Sequence, residues 1–155
     1  MLLIGDSLSV GTKPYFTREL VGSDVQVDAT SGIKLDEGMR RYRATKDKPR
    51  VVEMALFTNN SPGQVGELKA ALAETIKDAR ARGGKVVWAT IARPGNYDAA
   101  NALIREAAAA NPDVMELVDW QRMVTANPGW MAADGVHANA TGYRARARAF
   151  ADAAR

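Results

Sequence analysis

Three side chains from opposite ends of the sequence could together carry out acyl transfer by a serine nucleophile. Ser7 comes directly after a short apolar run, and His137, the only histidine, lies three residues after Asp134. A serine hydroxyl becomes nucleophilic when a base lies within about 3 Å of it. A carboxylate on the other ring nitrogen then orients that base. The pattern predicts Ser7 as nucleophile, His137 as base and Asp134 as its orienting carboxylate.

Each of these residues also has a purely structural interpretation. A serine after a strand commonly caps the next helix, and a lone histidine is more often structural than catalytic. The catalytic interpretation therefore depends on the three residues occurring together.

Acyl transfer also requires hydrogen-bond donors for the oxyanion of the tetrahedral intermediate, each worth on the order of 3 kcal/mol. Three candidates lie on loops after predicted strands: the backbone N–H of Ser7, the backbone N–H of Gly32 and the side-chain amide of Asn59. A turn glycine and a capping asparagine are the structural alternatives. Together with the predicted triad, the three donors are interpreted as an oxyanion hole.

Apolar runs and helix-spaced apolar residues predict five strands that alternate with helices. The predicted strands are residues 1–4, Asp24–Asp28, Arg50–Phe57, Lys85–Ala92 and Val114–Val118. The predicted helices are Pro14–Leu20, Leu35–Tyr42, a helix capped by Ser61 with Pro62 as its first residue and ended by Gly83, Asp98–Ala110, and one from Thr141 to the end. The connection between the fifth strand and the last helix is predicted to be long and irregular.

This alternation predicts a parallel sheet with helices on both faces, a three-layer α/β/α sandwich. The expected strand order is 2-1-3-4-5, the flavodoxin-like arrangement, which reverses between the first and third strands. The crevice at that reversal would receive Ser7 and Asn59, and the connection with Asp134 and His137 can reach the same edge. Glu53 interrupts the third strand, and nearby arginines are its candidate partners.

Length and composition limit the remaining function classes. The 155 residues predict one domain, and the absence of cysteine excludes disulfides and thiolate chemistry. A net charge of +3 does not argue for a polyanionic partner. Two basic clusters are interpreted as solvated surface, so no nucleic-acid partner is predicted; they are Arg40, Arg41, Arg43, Lys46, Lys48 and Arg50, and Arg144, Arg146 and Arg148.

No apolar run approaches the roughly 20 residues that cross a bilayer, so neither a membrane span nor a signal peptide is predicted. The compartment stays open, and would be extracytoplasmic if the chain were trimmed from a longer protein. The oligomeric state is also left open.

Four sequence blocks resemble those of the SGNH hydrolases, the GDSL esterase family, and together they span the chain. They are Gly5-Asp6-Ser7-Leu8, Gly32, Phe57-Thr58-Asn59-Asn60 and Asp134-Gly135-Val136-His137. The first and last blocks are specific matches, whereas the glycine block is weak. The third departs from the family's Gly-x-Asn-Asp, with Phe57 at the glycine and Asn60 at the aspartate. The G-x-S-x-G elbow of the other serine esterase fold is absent, because Ser9 replaces its second glycine.

The resemblance implies a serine esterase that acts on small O-acyl esters, acetyl esters in the first instance, with no cofactor and no metal. A looser likeness links Ala92-Arg93-Pro94 and the stretch 118–137 to the extracytoplasmic SGNH domain of peptidoglycan O-acetyltransferases. It implies an O-acetylated glycan as substrate. The candidate substrate contacts are Asn60, Arg93, Trp130, Met131 and Val136. Simple packing is the alternative for Trp130.

Two other hypotheses remain open at this point. The same site could transfer an acetyl group to or from a glycan hydroxyl instead of releasing it to water. Alternatively, the chain could be a non-catalytic flavodoxin-like binding module in which the turn Gly5–Gly11 holds a phosphate, although the G-x-G-x-x-G pattern is missing.

Overall fold

The sheet has five parallel strands in the order β2-β1-β3-β4-β5. The structure is a computed structural model, and it describes residues 1–16, 22 and 25–155. The strands are β1 (Leu2–Gly5), β2 (Gln26–Ala29), β3 (Val51–Ala55), β4 (Lys85–Ala89) and β5 (Met115–Val118). The predicted fold class and strand order are therefore confirmed.

Six α-helices are present in the described part of the chain. They are α1 (Ser7–Thr12), α2 (Leu35–Ala44), α3 (Val65–Ala81), α4 (Asp98–Ala110), α5 (Trp120–Ala126) and α6 (Ala140–Ala153). Short 3₁₀ turns follow α1 at Lys13–Tyr15 and α5 at Pro128–Trp130.

The helices cover both faces of the sheet. Successive side chains of each strand point to opposite faces, so each strand contributes to two cores. On one face Ile4 and Met54 belong to a core with Leu72 of α3 and other residues of α2 and α4. On the other face Leu3 and Val87 belong to a second core with residues of α5 and α6. The central strands β1, β3 and β4 are consequently buried on both sides, as parallel strands covered by helices are.

The first helix begins earlier than the sequence predicted. α1 begins at Ser7 because the Asp6 side chain accepts a hydrogen bond from the backbone N–H of Leu8 at 3.0 Å and caps the helix. In the predicted helix Pro14–Leu20, Pro14 and Tyr15 belong instead to the 3₁₀ turn. Residues 17–20 of that prediction lie outside the described part.

Two further helix predictions were wrong in detail. α3 begins at Val65 with Gln64 at its N-cap, not at Ser61. The backbone N–H of Gln64 donates to the Ser61 carbonyl at 3.0 Å, and its side chain accepts from the Ser61 N–H at 2.9 Å, so these residues close a separate turn. The connection after β5 also contains α5, which begins after Asp119 because that side chain accepts from the Arg122 N–H.

None of the helices in the described ranges is both long enough and apolar enough to cross a membrane.

Candidate active site

Ser7 stands at the point where β1 ends and α1 begins. Gly5, the last residue of β1, lies in register with Ala29 of β2 and Ala55 of β3. A Cβ on Gly5 would lie 2.0 Å from Ser9 Oγ and 3.1 Å from the Ala55 carbonyl oxygen. Glycine is therefore needed here, because it allows α1 to pack closely against the end of its strand. That packing fixes Ser7 at the carboxyl edge of the central strands.

The structure brings the three predicted triad residues into one line. Nε2 of His137 lies 2.9 Å from Ser7 Oγ, and Nδ1 lies 2.7 Å from Oδ2 of Asp134. An ionised carboxylate can only accept hydrogen bonds, so Nδ1 carries the proton. Nε2 is then left to accept the proton of the Ser7 hydroxyl. This is the geometry in which a serine can be activated as a nucleophile.

Asp134 is held as a carboxylate by three hydrogen bonds. Besides the His137 ring, its Oδ1 accepts from the backbone N–H groups of Val136 and His137, both at 2.9 Å. The bond to the His137 ring is the largest of the effects that lower the pKa of Asp134 to about 2. The carboxylate therefore stays ionised throughout the neutral and mildly acidic range.

The turn that carries Asp134 and His137 is tied down at its base. Met131 and Ala138 form an isolated antiparallel bridge, and the Ala132 N–H donates to the His137 carbonyl at 2.8 Å. Gly135 adopts a φ of 66°, a conformation that favours glycine. These contacts fix the backbone of the turn, and so the position of the His137 ring relative to Ser7.

The three predicted oxyanion donors lie at the same edge of the sheet. Ser7 is the first residue of α1, where a backbone N–H has no acceptor within the helix. The Asn59 side-chain amide donates to the Ile33 carbonyl at 2.9 Å, which places it beside the residue that follows Gly32. An amide group has two N–H donors, so Asn59 keeps one for another acceptor.

Phe57 shows how this chain accommodates its departure from the Gly-x-Asn-Asp block. Its φ is 82°, in the region that favours glycine, although its side chain is completely buried. The Phe57 ring meets the Tyr97 ring edge to face at 6.4 Å. The loop therefore adopts a glycine-type backbone conformation without a glycine. For a non-glycine residue this costs on the order of 1–2 kcal/mol.

Asn60 is placed differently from the sequence expectation of a substrate contact. It is buried, its Oδ1 accepts from the Leu35 N–H at 2.8 Å, and its Nδ2 donates to Gln64 at 3.3 Å. We assign Asn60 to holding the start of α2 against the loop after β3. In that role it positions its neighbour Asn59.

The remaining candidate substrate contacts lie in different places. Val136 does not line the cleft described next, and its backbone N–H donates to Asp134. Arg93 and Met131 line a cleft of about 240 Å³ that also includes Gly135. Trp130 lies outside this cleft and stacks on Trp120, with ring centroids 6.3 Å apart.

Sequence reasoning missed two polar residues on α5, Gln121 and Thr125, which line the same cleft. They were missed because α5 itself was not predicted. A larger groove of about 710 Å³ between α3 and α4 contains none of the predicted site residues.

A buried cluster of ionisable side chains beneath Ser7 was also missed, and the interpretation of Arg146 as solvated surface was wrong. Glu53 of β3 and Asp6 are fully buried, and Arg146 of α6 is only 2% exposed. The guanidinium carbon of Arg146 lies 5.1 Å from the Trp120 ring and 5.0 Å from the Phe150 ring. Within the described ranges, both Glu53 carboxyl oxygens and two Arg146 nitrogens have no hydrogen-bond partner.

Burial sets the protonation of this cluster. It raises the pKa of Glu53 to about 8 and lowers that of Arg146 to about 10, so at neutral pH Glu53 is mostly protonated and Arg146 is charged. Burial also raises the pKa of Asp6, against the opposing effects of the Leu8 N–H and the Arg146 charge. The positive charges acting on Glu53 thus come from the amino terminus and from Arg146 of the last helix, not from the arginines near it in the sequence. One sequence signal was available, because Arg146 stands four residues before Phe150 on a buried face.

No group of three or more histidine, aspartate or glutamate side chains in the described part of the chain is arranged to hold a metal ion.

This protein has the SGNH hydrolase fold. Over 98% of its residues it matches a GDSL-like lipase of Bacteroides thetaiotaomicron, with a TM-score of 0.73, 18% identity and 85% coverage of that chain. It matches the SGNH-hydrolase family esterase AlinE4 over 98% of its residues and 92% of that chain, with a TM-score of 0.63 and 20% identity. No protein-family model matches the chain.

More particular likenesses lead to O-acetyltransferases. The chain is 29% identical over 154 residues to O-acetyltransferase OatA of Staphylococcus aureus, a match that covers 93% of this chain. It spans only 23% of the length of that relative. The catalytic domain of peptidoglycan O-acetyltransferase A from Streptococcus pneumoniae has a TM-score of 0.68 and 22% identity, covering 98% of this chain and 88% of that domain.

Proposed function

We propose that this chain is a serine esterase that removes small acyl groups, acetyl in particular, through an acyl-enzyme on Ser7. The observation that carries the proposal is the continuous line from Asp134 through His137 to Ser7, with contacts of 2.7 and 2.9 Å. The OatA likeness supports acetyl as the acyl group, because the relative is named an O-acetyltransferase.

In the acylation step, Ser7 Oγ attacks the ester carbonyl while Nε2 of His137 takes its proton. The negative charge passes to the carbonyl oxygen, which accepts from the N–H groups of Ser7 and Gly32 and from the Asn59 amide. Asp134 holds the imidazole and stabilises its positive charge. The tetrahedral intermediate then collapses, the C–O bond to the alcohol breaks, and His137 gives its proton to the departing alcohol.

In the deacylation step, water takes the place of the alcohol. His137 removes a proton from the water as the oxygen attacks the acyl carbonyl, and the second tetrahedral intermediate forms in the same oxyanion hole. When it collapses, the proton returns to Ser7 Oγ and the carboxylic acid is released. If a glycan hydroxyl enters in place of water, the same chemistry gives an O-acetyltransferase, which is the second candidate function. The OatA names favour it.

The flavodoxin-like alternative has no supporting observation. A phosphate held at the start of α1 would need free backbone N–H groups there. The Asp6 carboxylate already occupies that position and accepts from the Leu8 N–H. Since that N–H group already has an acceptor within the chain, we favour the enzymatic interpretation.

The esterase proposal is tested by comparing the parent chain with Ser7→Ala. We expect a fluorophosphonate probe to label the parent and not the variant, and turnover of p-nitrophenyl acetate to be almost completely lost. Ser61→Ala is the matched control, because Ser61 is exposed and belongs to the turn before α3. Equal labelling and hydrolysis by Ser7→Ala and the parent would show that the nucleophile is wrongly assigned.

Hydrolysis and transfer are separated by the fate of the acyl group. The parent is supplied with p-nitrophenyl acetate and a chitooligosaccharide, and acetate and acetylated sugar are both measured by mass spectrometry. Acetate as the sole product would exclude transfer to that acceptor. An acetylated sugar that disappears with Ser7→Ala would support the transferase.

The site of action is also a proposal. The Streptococcus pneumoniae neighbour is named a peptidoglycan O-acetyltransferase, and an O-acetylated glycan is the corresponding substrate class for this chain. Because peptidoglycan lies outside the cytoplasm, we infer an extracytoplasmic location.

A further inference from the structure

We propose that Arg93 binds a carboxylate on the alcohol portion of the substrate, so that the site selects esters of carboxylate-bearing alcohols. The inference rests on the proposed esterase function, and it identifies the cleft beside the triad as the site for the leaving alcohol. The basis is a fixed cation without a carboxylate partner in a polar cleft that adjoins the catalytic turn.

The cleft adjoins the triad through Gly135, which lies between Asp134 and His137. A Cβ on Gly135 would lie 3.1 Å from Cγ of Pro94. The loop after β4, which contains Arg93, therefore packs directly on the turn that carries the base. We place the leaving alcohol in this cleft because the turn that carries the base also lines it, through Gly135.

Arg93 is held in place by two contacts. Its Nη1 donates to the Thr58 carbonyl, and its guanidinium carbon lies 5.7 Å from the centroid of the Tyr97 ring. Tyr97 is itself buried and fixed, because its hydroxyl donates to the Asn60 carbonyl at 2.9 Å. A guanidinium held in this way loses little freedom when a ligand binds, which favours affinity.

The charge of Arg93 is not neutralised by a protein carboxylate. Among the ion pairs of the described residues, none includes Arg93, and its Nε is buried without a hydrogen-bond partner. Arg105 is different, because it makes two hydrogen bonds of 2.8 Å to Asp119. Arg93 is therefore available to an acidic group from outside the chain.

The chemistry of the cleft indicates the class of ligand. A planar guanidinium matches the two oxygens of a carboxylate. Gln121 and Thr125 add polar groups to the lining. At about 240 Å³ the cleft is smaller than the roughly 300–1,000 Å³ sites that hold drug-sized ligands. It suits one small polar, acidic group.

The test uses two acetyl esters that differ in charge, 4-acetoxybenzoate and 4-acetoxybenzamide. We measure kcat/KM for both with the parent, Arg93→Gln and Arg93→Lys. The ratio of the benzoate to the benzamide value is expected to fall about tenfold in Arg93→Gln and less in Arg93→Lys, because a hydrogen bond to a charged group is lost. Any uniform effect on the Thr58–Asn59 loop cancels in this ratio.

Arg122→Gln is the matched control. Arg122 belongs to α5 and is the neighbour of Gln121, but its side chain is 76% exposed and it does not line the cleft. Its ratio should equal that of the parent. An unchanged ratio in Arg93→Gln would overturn the inference while leaving the esterase proposal intact.

A binding measurement keeps the inference testable without catalysis. The alcohol products, 4-hydroxybenzoate and 4-hydroxybenzamide, are titrated into the parent, Ser7→Ala and Arg93→Gln and followed by calorimetry, after circular dichroism has shown that the variants are folded. We expect preferential binding of 4-hydroxybenzoate by the parent and Ser7→Ala, lost in Arg93→Gln. Equal binding by the parent and Arg93→Gln would refute the assignment, even if the parent hydrolysed neither ester and the esterase proposal failed separately.

Discussion

Replacing Glu53 with glutamine should make the stability of this protein less sensitive to pH. Glu53 is completely buried in β3, beside Leu3 of β1, and burial raises its pKa from 4.5 to about 8. A carboxyl with a raised pKa keeps its proton longer in the folded state than in the unfolded state. Its ionisation therefore opposes folding, and stability falls as the pH rises from 4.5 towards 8.

The size of the effect follows from the two pKa values. Each pH unit between them costs about 1.4 kcal/mol, so between pH 4.5 and pH 7 the parent should lose about 3 kcal/mol from Glu53 alone. Glutamine has nearly the same shape and does not ionise. The difference in the free energy of unfolding between Glu53→Gln and the parent should therefore shift by about 3 kcal/mol over that range, in favour of the variant.

The assay is urea unfolding of the parent and Glu53→Gln at pH 4.5, 7 and 8.5, followed by circular dichroism. Glu106→Gln is the control, because Glu106 is exposed on α4. Its curve should run parallel to that of the parent. If the Glu53→Gln curve also ran parallel to the parent, Glu53 would ionise normally in the folded protein, and the argument from burial would be wrong.

Four further predictions concern the proposed catalytic residues and the loop after β3. Asp134→Asn should lower kcat for p-nitrophenyl acetate by about 10³- to 10⁴-fold through loss of the oriented tautomer of His137. Because the pKa of Asp134 is about 2, its protonation should cause no loss of parent activity between pH 5 and 8, which a pH–rate profile checks. Asn59→Ala should lower kcat about 10²- to 10³-fold with a small change in KM, as measured by steady-state kinetics. Phe57→Gly should be about 1 kcal/mol more stable than Phe57→Ala in urea unfolding, since the positive φ favours glycine.

Each of these substitutions has a clear contrary result. Full activity of Asp134→Asn would mean that the imidazole does not depend on this carboxylate. A large rise in KM with unchanged kcat for Asn59→Ala would make the amide a substrate contact instead of an oxyanion donor. If Phe57→Ala were the more stable variant, the left-handed backbone at residue 57 would carry no strain.

The sequence alone determined the fold class and the members of the candidate site. The apolar runs are continuous because both faces of a parallel sheet are buried, and right-handed crossovers restrict the strand order. Chemical type identified Ser7, Asp134 and His137, since a serine followed much later by an aspartate and the only histidine leaves few alternatives. Apolar runs and residue types can be read directly from the sequence, so these features could be found without coordinates.

Tertiary structure decided the distances and the long-range partners. The 2.9 Å contact between His137 and Ser7 joins residues 130 positions apart, and no local pattern fixes such a separation. Arg146 faces Glu53 because α6 packs on the same side of the sheet, while the arginines near Glu53 in the sequence lie elsewhere.

Local competition explains where the sequence predictions failed. The side chains of Asp6 and Asp119 cap α1 and α5, whereas Ser61 joins a turn with Gln64 and caps no helix. Asn60, a candidate substrate contact from the sequence, accepts a hydrogen bond from the Leu35 N–H at the start of α2. A capping or polar side chain can serve several nearby backbone groups, and only the packing of the folded chain selects among them.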